Sequence, residues 1–187
     1  SNDFVGNFGV TALANGNYVV NSAEWNNGAA TEAGAVTWGS GTSGVTGVVS
    51  AANSLVGTNT NDRVGGRFSG GITALPNGNY VVVSPEWNNG AATQAGAVTF
   101  GNGATGISGV VSAANSLVGT TSFDFVGDGG ITVLPNGNYV VSSLVWNNGA
   151  ATQAGAVTWG SSSIGVKGVV SAGNSLVGAT AFDQVGT

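Results

Sequence analysis

Residues 146–160 read "WNNGAATQAGAVTWG", and the same fifteen residues return with one change each as "WNNGAATEAGAVTWG" at 25–39 and "WNNGAATQAGAVTFG" at 87–101. Such a triplicate is either one ligand site presented three times or the least variable part of a structural unit. Its neighbours repeat in step. "NGNYVV" occurs at 15–20, 77–82 and 136–141, and "GVVSAANSLVG" at 47–57 and 109–119, returning as "GVVSAGNSLVG" at 168–178. Asp-x-Val-Gly begins at Asp3, Asp62, Asp124 and Asp183, once before each copy and once after the last. Trp25, Trp87 and Trp146 are 62 and 59 residues apart, so the second copy carries three extra residues, placed within "GGRFSGG" (65–71). The chain divides into repeats at 1–62, 63–124 and 125–187.

Within a copy the pattern is all β. "ITAL" (72–75) and "NYVVVS" (79–84) flank Pro76-Asn77-Gly78, a tight-turn signal that makes a hairpin. Asn88-Asn89-Gly90 opens a polar loop, "AGAVTF" (95–100) reads as a third strand, and "GVVSA" (109–113), extending toward "NSLVG" (115–119), as the fourth. No segment combines helical periodicity with caps. Four short strands per copy give the pattern of a propeller-type blade. A lone four-stranded sheet cannot bury both faces, so the copies are expected to stack.

Composition excludes several classes of function. Charged residues make up 6% of the 187 positions, Gly supplies 34, and the hydrophobic share of 42% includes five Trp and seven Phe. The surface must be polar but mostly uncharged, around a packed core. The net charge is −5 and the basic residues are Arg63, Arg67 and Lys167, too few to neutralise a phosphate backbone or bind an anionic membrane. No apolar run is long enough to span a bilayer as a helix, and no signal peptide is visible. Without Cys or His there are no disulfides, no thiolate nucleophile and no His-dependent triad. Few Lys among many Asn, Thr and Gly suit a secreted or cell-surface bacterial protein.

The ordered set Asp-x-Val-Gly, "LPNGNYVV", "WNNG" and "AGAVTW" or "AGAVTF" resembles the FG-GAP repeat, the blade unit of integrin-α-type β-propellers. The resemblance implies an extracellular adhesion module. It also raises calcium, which such repeats hold with several Asp in the hairpin loop. Here the loops read "LANGNY", "LPNGNY" and "LPNGNY" and lack carboxylates, so no cofactor or metal is expected. Closed propellers have roughly four to eight blades. Three blades therefore imply a homo-oligomer, a longer array, or units joined end to end.

The candidate ligand-binding residues are Trp25, Asn26, Asn27, Trp87, Asn88, Asn89, Trp146, Asn147 and Asn148. A Trp face stacks on a sugar ring and neighbouring amides bind hydroxyls, so a glycan-binding, lectin-like propeller is one reading. The other makes these Trp core anchors. Trp38, Phe100 and Trp159 end a strand at equivalent positions, and the Trp-to-Phe change favours packing there. Asp3, Asp62, Asp124 and Asp183 are expected to fix turns by bonding backbone N–H groups two residues on. Glu24 and Glu86 give way to Val145, and Glu32 to Gln94 and Gln153, so these acids look incidental to a repeated site. Arg63 and Arg67 flank the insertion. With so few acids no paired carboxylates for hydrolysis are expected, and no catalytic residue is assigned. The expected function is a non-enzymatic extracellular repeat module for adhesion or surface structure. The alternatives are the lectin-like propeller and an engineered or excised repeat fragment without activity of its own.

Overall fold

A computed structural model describes residues 2–66 and 71–187. Arg67 and most of the three-residue insertion lie outside the described residues. The first copy contributes β1 (Val10–Ala12), β2 (Tyr18–Ser22), β3 (Ala35–Gly39) and β4 (Ser54–Val56). The second contributes β5 (Ile72–Ala74), β6 (Tyr80–Ser84), β7 (Ala97–Gly101), β8 (Gly109–Val110) and β9 (Ser116–Val118). The third contributes β10 (Gly130–Val133), β11 (Tyr139–Ser143), β12 (Ala156–Gly160), β13 (Gly168–Val169) and β14 (Ser175–Val177). Among the described residues there is no helix and no sheet closes into a barrel.

Each copy is one blade-like antiparallel sheet. Its two long strands are rich in β-branched residues, which suit a pleated surface buried on both sides. Asn77 Oδ1 closes the hairpin between β5 and β6 by accepting the Asn79 N–H at 3.1 Å, and Asn15 and Asn136 do the same in the other copies. The registers are equivalent throughout: Tyr18 faces Gly39, Tyr80 faces Gly101 and Tyr139 faces Gly160. In each pair the phenol ring lies over the glycine, where a Cβ would collide with it. Buried hydroxyls satisfy each other between the third and last strands, as in Thr99–Ser116 at 2.7 Å.

The fourth strand differs from the sequence expectation. "GVVSAANSLVG" does not run through one sheet. In the second copy Asn115 folds it back, its Oδ1 accepting the Ser112 N–H and its Nδ2 donating to the Val110 carbonyl. Only β9 joins its own sheet, beside β7. β8 crosses to the first copy and pairs in parallel with β4, Leu55 opposite Gly109 and Val56 opposite Val110. β13 does the same to β9. The resulting orders are β1-β2-β3-β4-β8, β5-β6-β7-β9-β13 and β10-β11-β12-β14.

The core is made at these junctions. One cluster joins Leu13, Val19, Val36 and Leu55 of the first copy to Tyr80, Val82, Trp87 and Val111 of the second. Another joins Leu75, Val81, Val98 and Leu117 to Tyr139, Val141, Trp146 and Val170. Every copy thus has a front face that receives the preceding copy and a back face that receives the next. Burial pushes the hydroxyls of Tyr80 and Tyr139 up to about 12, opposed by the backbone of Ile107 and Val166 respectively. Neither phenol serves as an acid near neutral pH.

Candidate functional site

The residues singled out in the sequence converge on the seams between copies. Each Trp of the WNNG segment is buried: Trp25 is 7% exposed, Trp87 5% and Trp146 6%. Trp25 reaches that burial against Ala35, Val56 and Val49 of its own copy, with no preceding copy in front of it. The Trp is an anchor of its own blade, and its ring faces are occupied.

The two Asn are occupied as well. The first of each pair accepts the N–H six residues on, Asn26 from Glu32, Asn88 from Gln94 and Asn147 from Gln153. The second donates to the carbonyl that follows the last strand, Asn27 to Gly57, Asn89 to Gly119 and Asn148 to Gly178, each at 2.8 Å. The donor residues Glu32, Gln94 and Gln153 all have positive φ, near 51°. The side-chain bond from the Asn secures a backbone conformation that non-glycine residues seldom adopt.

The Asp of Asp-x-Val-Gly joins the copies. Asp62 is fully buried. One of its oxygens accepts the N–H groups of Thr58 and Asn59, each at 2.8 Å. The other accepts the backbone N–H of Asn88 at 3.0 Å and its Nδ2 at 2.7 Å, across the seam. Asp124 repeats this with Thr120 and Thr121 on one oxygen and Asn147 on the other. The carboxylates reach back to residues three and four earlier, not forward by two as an Asx turn would. The reason is that the residues on either side of each Asp are left-handed, with φ of 64° at Asn61 and 44° at Arg63, which turns the side chain toward the chain it has just left. At the ends the set is incomplete. Among the described residues Asp3 accepts from Asn26 Nδ2 alone, at 3.2 Å. Asp183 is exposed and accepts from Ala179 N, Thr180 N and the Thr180 hydroxyl, and these donors hold its carboxyl below the usual range.

A second polar set lies at the hairpin turns. Asn15 and Asn17 both donate across the first seam to the Gly103 carbonyl, each at 2.8 Å, and the Trp38 indole N–H joins them at 2.9 Å. Asn77 and Asn79 donate likewise to the Ser162 carbonyl across the second seam. Trp38 thus uses the indole N–H that Phe100 lacks, a role hidden when the position is judged by bulk alone.

The acids that looked incidental have a role at the first seam. Arg63 binds Glu32 Oε2 of the first copy and Glu86 Oε2 of the second, each at 2.6 Å. The two ion pairs, opposed by burial, raise its pKa. In the second seam Phe125, Gln94 and Val145 replace all three charged residues. The missed signal is the joint replacement: the basic residue and both acids disappear together between copies. The second seam instead holds an open groove of about 430 Å³ lined by Phe123, Phe125, Val145 and Gln153.

A family model described as a repeat of unknown function (DUF5650) matches residues 12–66, 74–128 and 133–187. That match replaces the FG-GAP assignment, for which there is no family match, while the three tandem copies stand. The FG-GAP likeness rested on the order of short motifs, several of them Gly- and Asn-rich turns that different blade-like repeats reach independently because few residues accept them. No curated protein matches the chain.

Proposed function

We propose that this chain, which belongs to the DUF5650 repeat family, is a non-enzymatic structural repeat module working at or outside the cell surface. The observation that carries this reading is how the most repeated side chains are used. The Trp rings are packed, the Asn amides close loops and seams, and the buried carboxylates accept backbone N–H groups. A lectin would need the same Trp faces and amides free. The inner tyrosines are held neutral by burial, and Asp62 and Asp124 are spent on hydrogen bonds, which also suits a structural part.

An uncharged surface of amides and hydroxyls suits an exposed spacer or filament element in an adhesive or surface layer. A glycan array probed with the purified chain tests the reading. Absence of saturable binding is expected, and binding to any glycan that competes with free sugar would overturn it.

A further inference from the structure

The two seams define what covers each face of a copy, and the outermost faces are the same faces left uncovered. On the back of the third copy Leu176 is 70% exposed, whereas its counterparts Leu55 and Leu117 are fully buried. Trp159 beside it is 55% exposed, while Trp38 and Phe100 are packed against the next copy. Among the described residues the Nδ2 groups of Asn136 and Asn138 have no acceptor, although Asn15, Asn17, Asn77 and Asn79 all cross a seam to one. No strand of the described residues pairs with the outer edge of β14.

The front of the first copy supplies the complement. Val45 is exposed, while its counterparts Ile107 and Val166 pack against the copy in front of them. Val5, Val20, Val45 and Val49 line an apolar groove of about 150 Å³. Gly41 holds the place of Gly103 and Ser162, and among the described residues its carbonyl receives no donor. Gly47 and Val48 hold the place of β8 and β13 but pair with no strand among the described residues. Gly44 corresponds to Gly106 and Gly165, where a Cβ would strike Trp38 or Phe100 of the neighbouring copy; at Gly44 it would meet the Tyr18 hydroxyl at 3.8 Å, an ordinary contact.

We propose that a second copy of this chain docks here head to tail, the back of its third blade on the front of the first, repeating the internal seams. This deepens the structural reading above and rests on it. Gly47 and Val48 then pair in parallel with Leu176 and Val177, as β8 pairs with β4. Trp159 covers the partner's Gly44, and Asn136 and Asn138 donate to the partner's Gly41 carbonyl. The contact uses two different faces, so each molecule added presents a fresh one and the assembly propagates. One segment must yield. Residues 3–6 occupy the seat that 62–65 and 124–127 fill at the internal seams, and residues 183–186 of the incoming molecule carry the same motif. The N-terminal turn is the segment to be displaced: it is held by the Asn26 amide on the Asn2 carbonyl and Asp3 and by the Gly6 N–H on Ser22 Oγ, whereas Asp183 keeps two backbone bonds within its own copy.

Light scattering after size-exclusion chromatography tests this across a concentration series. The wild-type mass should rise above 18.1 kDa with concentration, and deletion of residues 2–6 should shift that rise to lower concentration. Leu176→Asp and Val45→Asp place a charge on exposed positions of opposite faces, so both variants fold and each alone should stay monomeric. Mixed, they should give a species of twice the monomer mass and no larger, since each retains one intact face. A wild-type mass fixed at 18.1 kDa throughout, or self-association of either variant alone, overturns the proposal. A monomer that binds no glycan removes the docking and leaves the structural reading in place, whereas glycan binding removes the reading itself.

Discussion

The two seams of this molecule share one backbone plan and differ in what seals it. Both use a buried Asp bonded to the Asn of the next copy, paired turn amides on a carbonyl, and a two-residue parallel strand. The first is closed at its rim by Arg63 between Glu32 and Glu86, whereas Phe125 and Val145 line an open groove at the second. The bonds that define the seam can therefore be kept while its rim changes from ionic to apolar. The rim tunes the junction, and the Asp–Asn link makes it.

The shared link should carry the larger effect. Asp62→Ala or Asp124→Ala leaves buried N–H donors unsatisfied and should cost about 3 kcal/mol in urea denaturation, similarly in either seam. If one of the two proves neutral, the seams do not share a mechanism. The rim comes next. Phe125→Arg puts a cation beside Val145 and Gln94 without a carboxylate and should cost about 1–2 kcal/mol. Adding Gln94→Glu and Val145→Glu should recover most of that loss and make the variant's stability fall with added salt, since partly exposed ion pairs are screened.

Smaller still is the backbone. Phe123 is exposed at φ 67°, where the first copy has Asn61 at 64°. Asn tolerates that region better, so Phe123→Asn should raise stability by about 0.5 kcal/mol in thermal melts. The last difference appears only with pH. Burial, partly offset by the Leu144 N–H, raises the Asp128 carboxyl above its ordinary value, and Asn7 stands at this place in the first copy. A raised carboxyl contributes stability that is full below the ordinary carboxylate value and lost as pH rises through the native one. Asp128→Asn should therefore melt higher than wild type at neutral pH, with the gap closing as pH falls through that window.

The sequence made the copies, the hairpin and the third strand legible, because Asn-Gly turns and Val-rich alternation are local signals. The strand exchange was not. "GVV" has the same pattern whether it joins its own sheet or its neighbour's, and the partner is set by the turn that Asn115 closes. The WNNG site was legible as conserved geometry between copies but not as to purpose, since Trp87 has the same letters whether its ring is open or buried. Arg63 was visible as a break in the repeat. Its partners lie 31 and 23 residues away in two different copies, beyond any local pattern.

The central claim is that copies are held by the strand and side chains they lend across each seam. Amide hydrogen exchange on dilute protein tests it most directly, at three equivalent positions. Val111 donates its N–H to the Val56 carbonyl and Val170 to the Val118 carbonyl, whereas the Val49 N–H crosses no seam among the described residues. Val111 and Val170 should exchange orders of magnitude more slowly than Val49, with their protection falling when Asp62 or Asp124 is replaced. Equal exchange at all three valines would contradict the account.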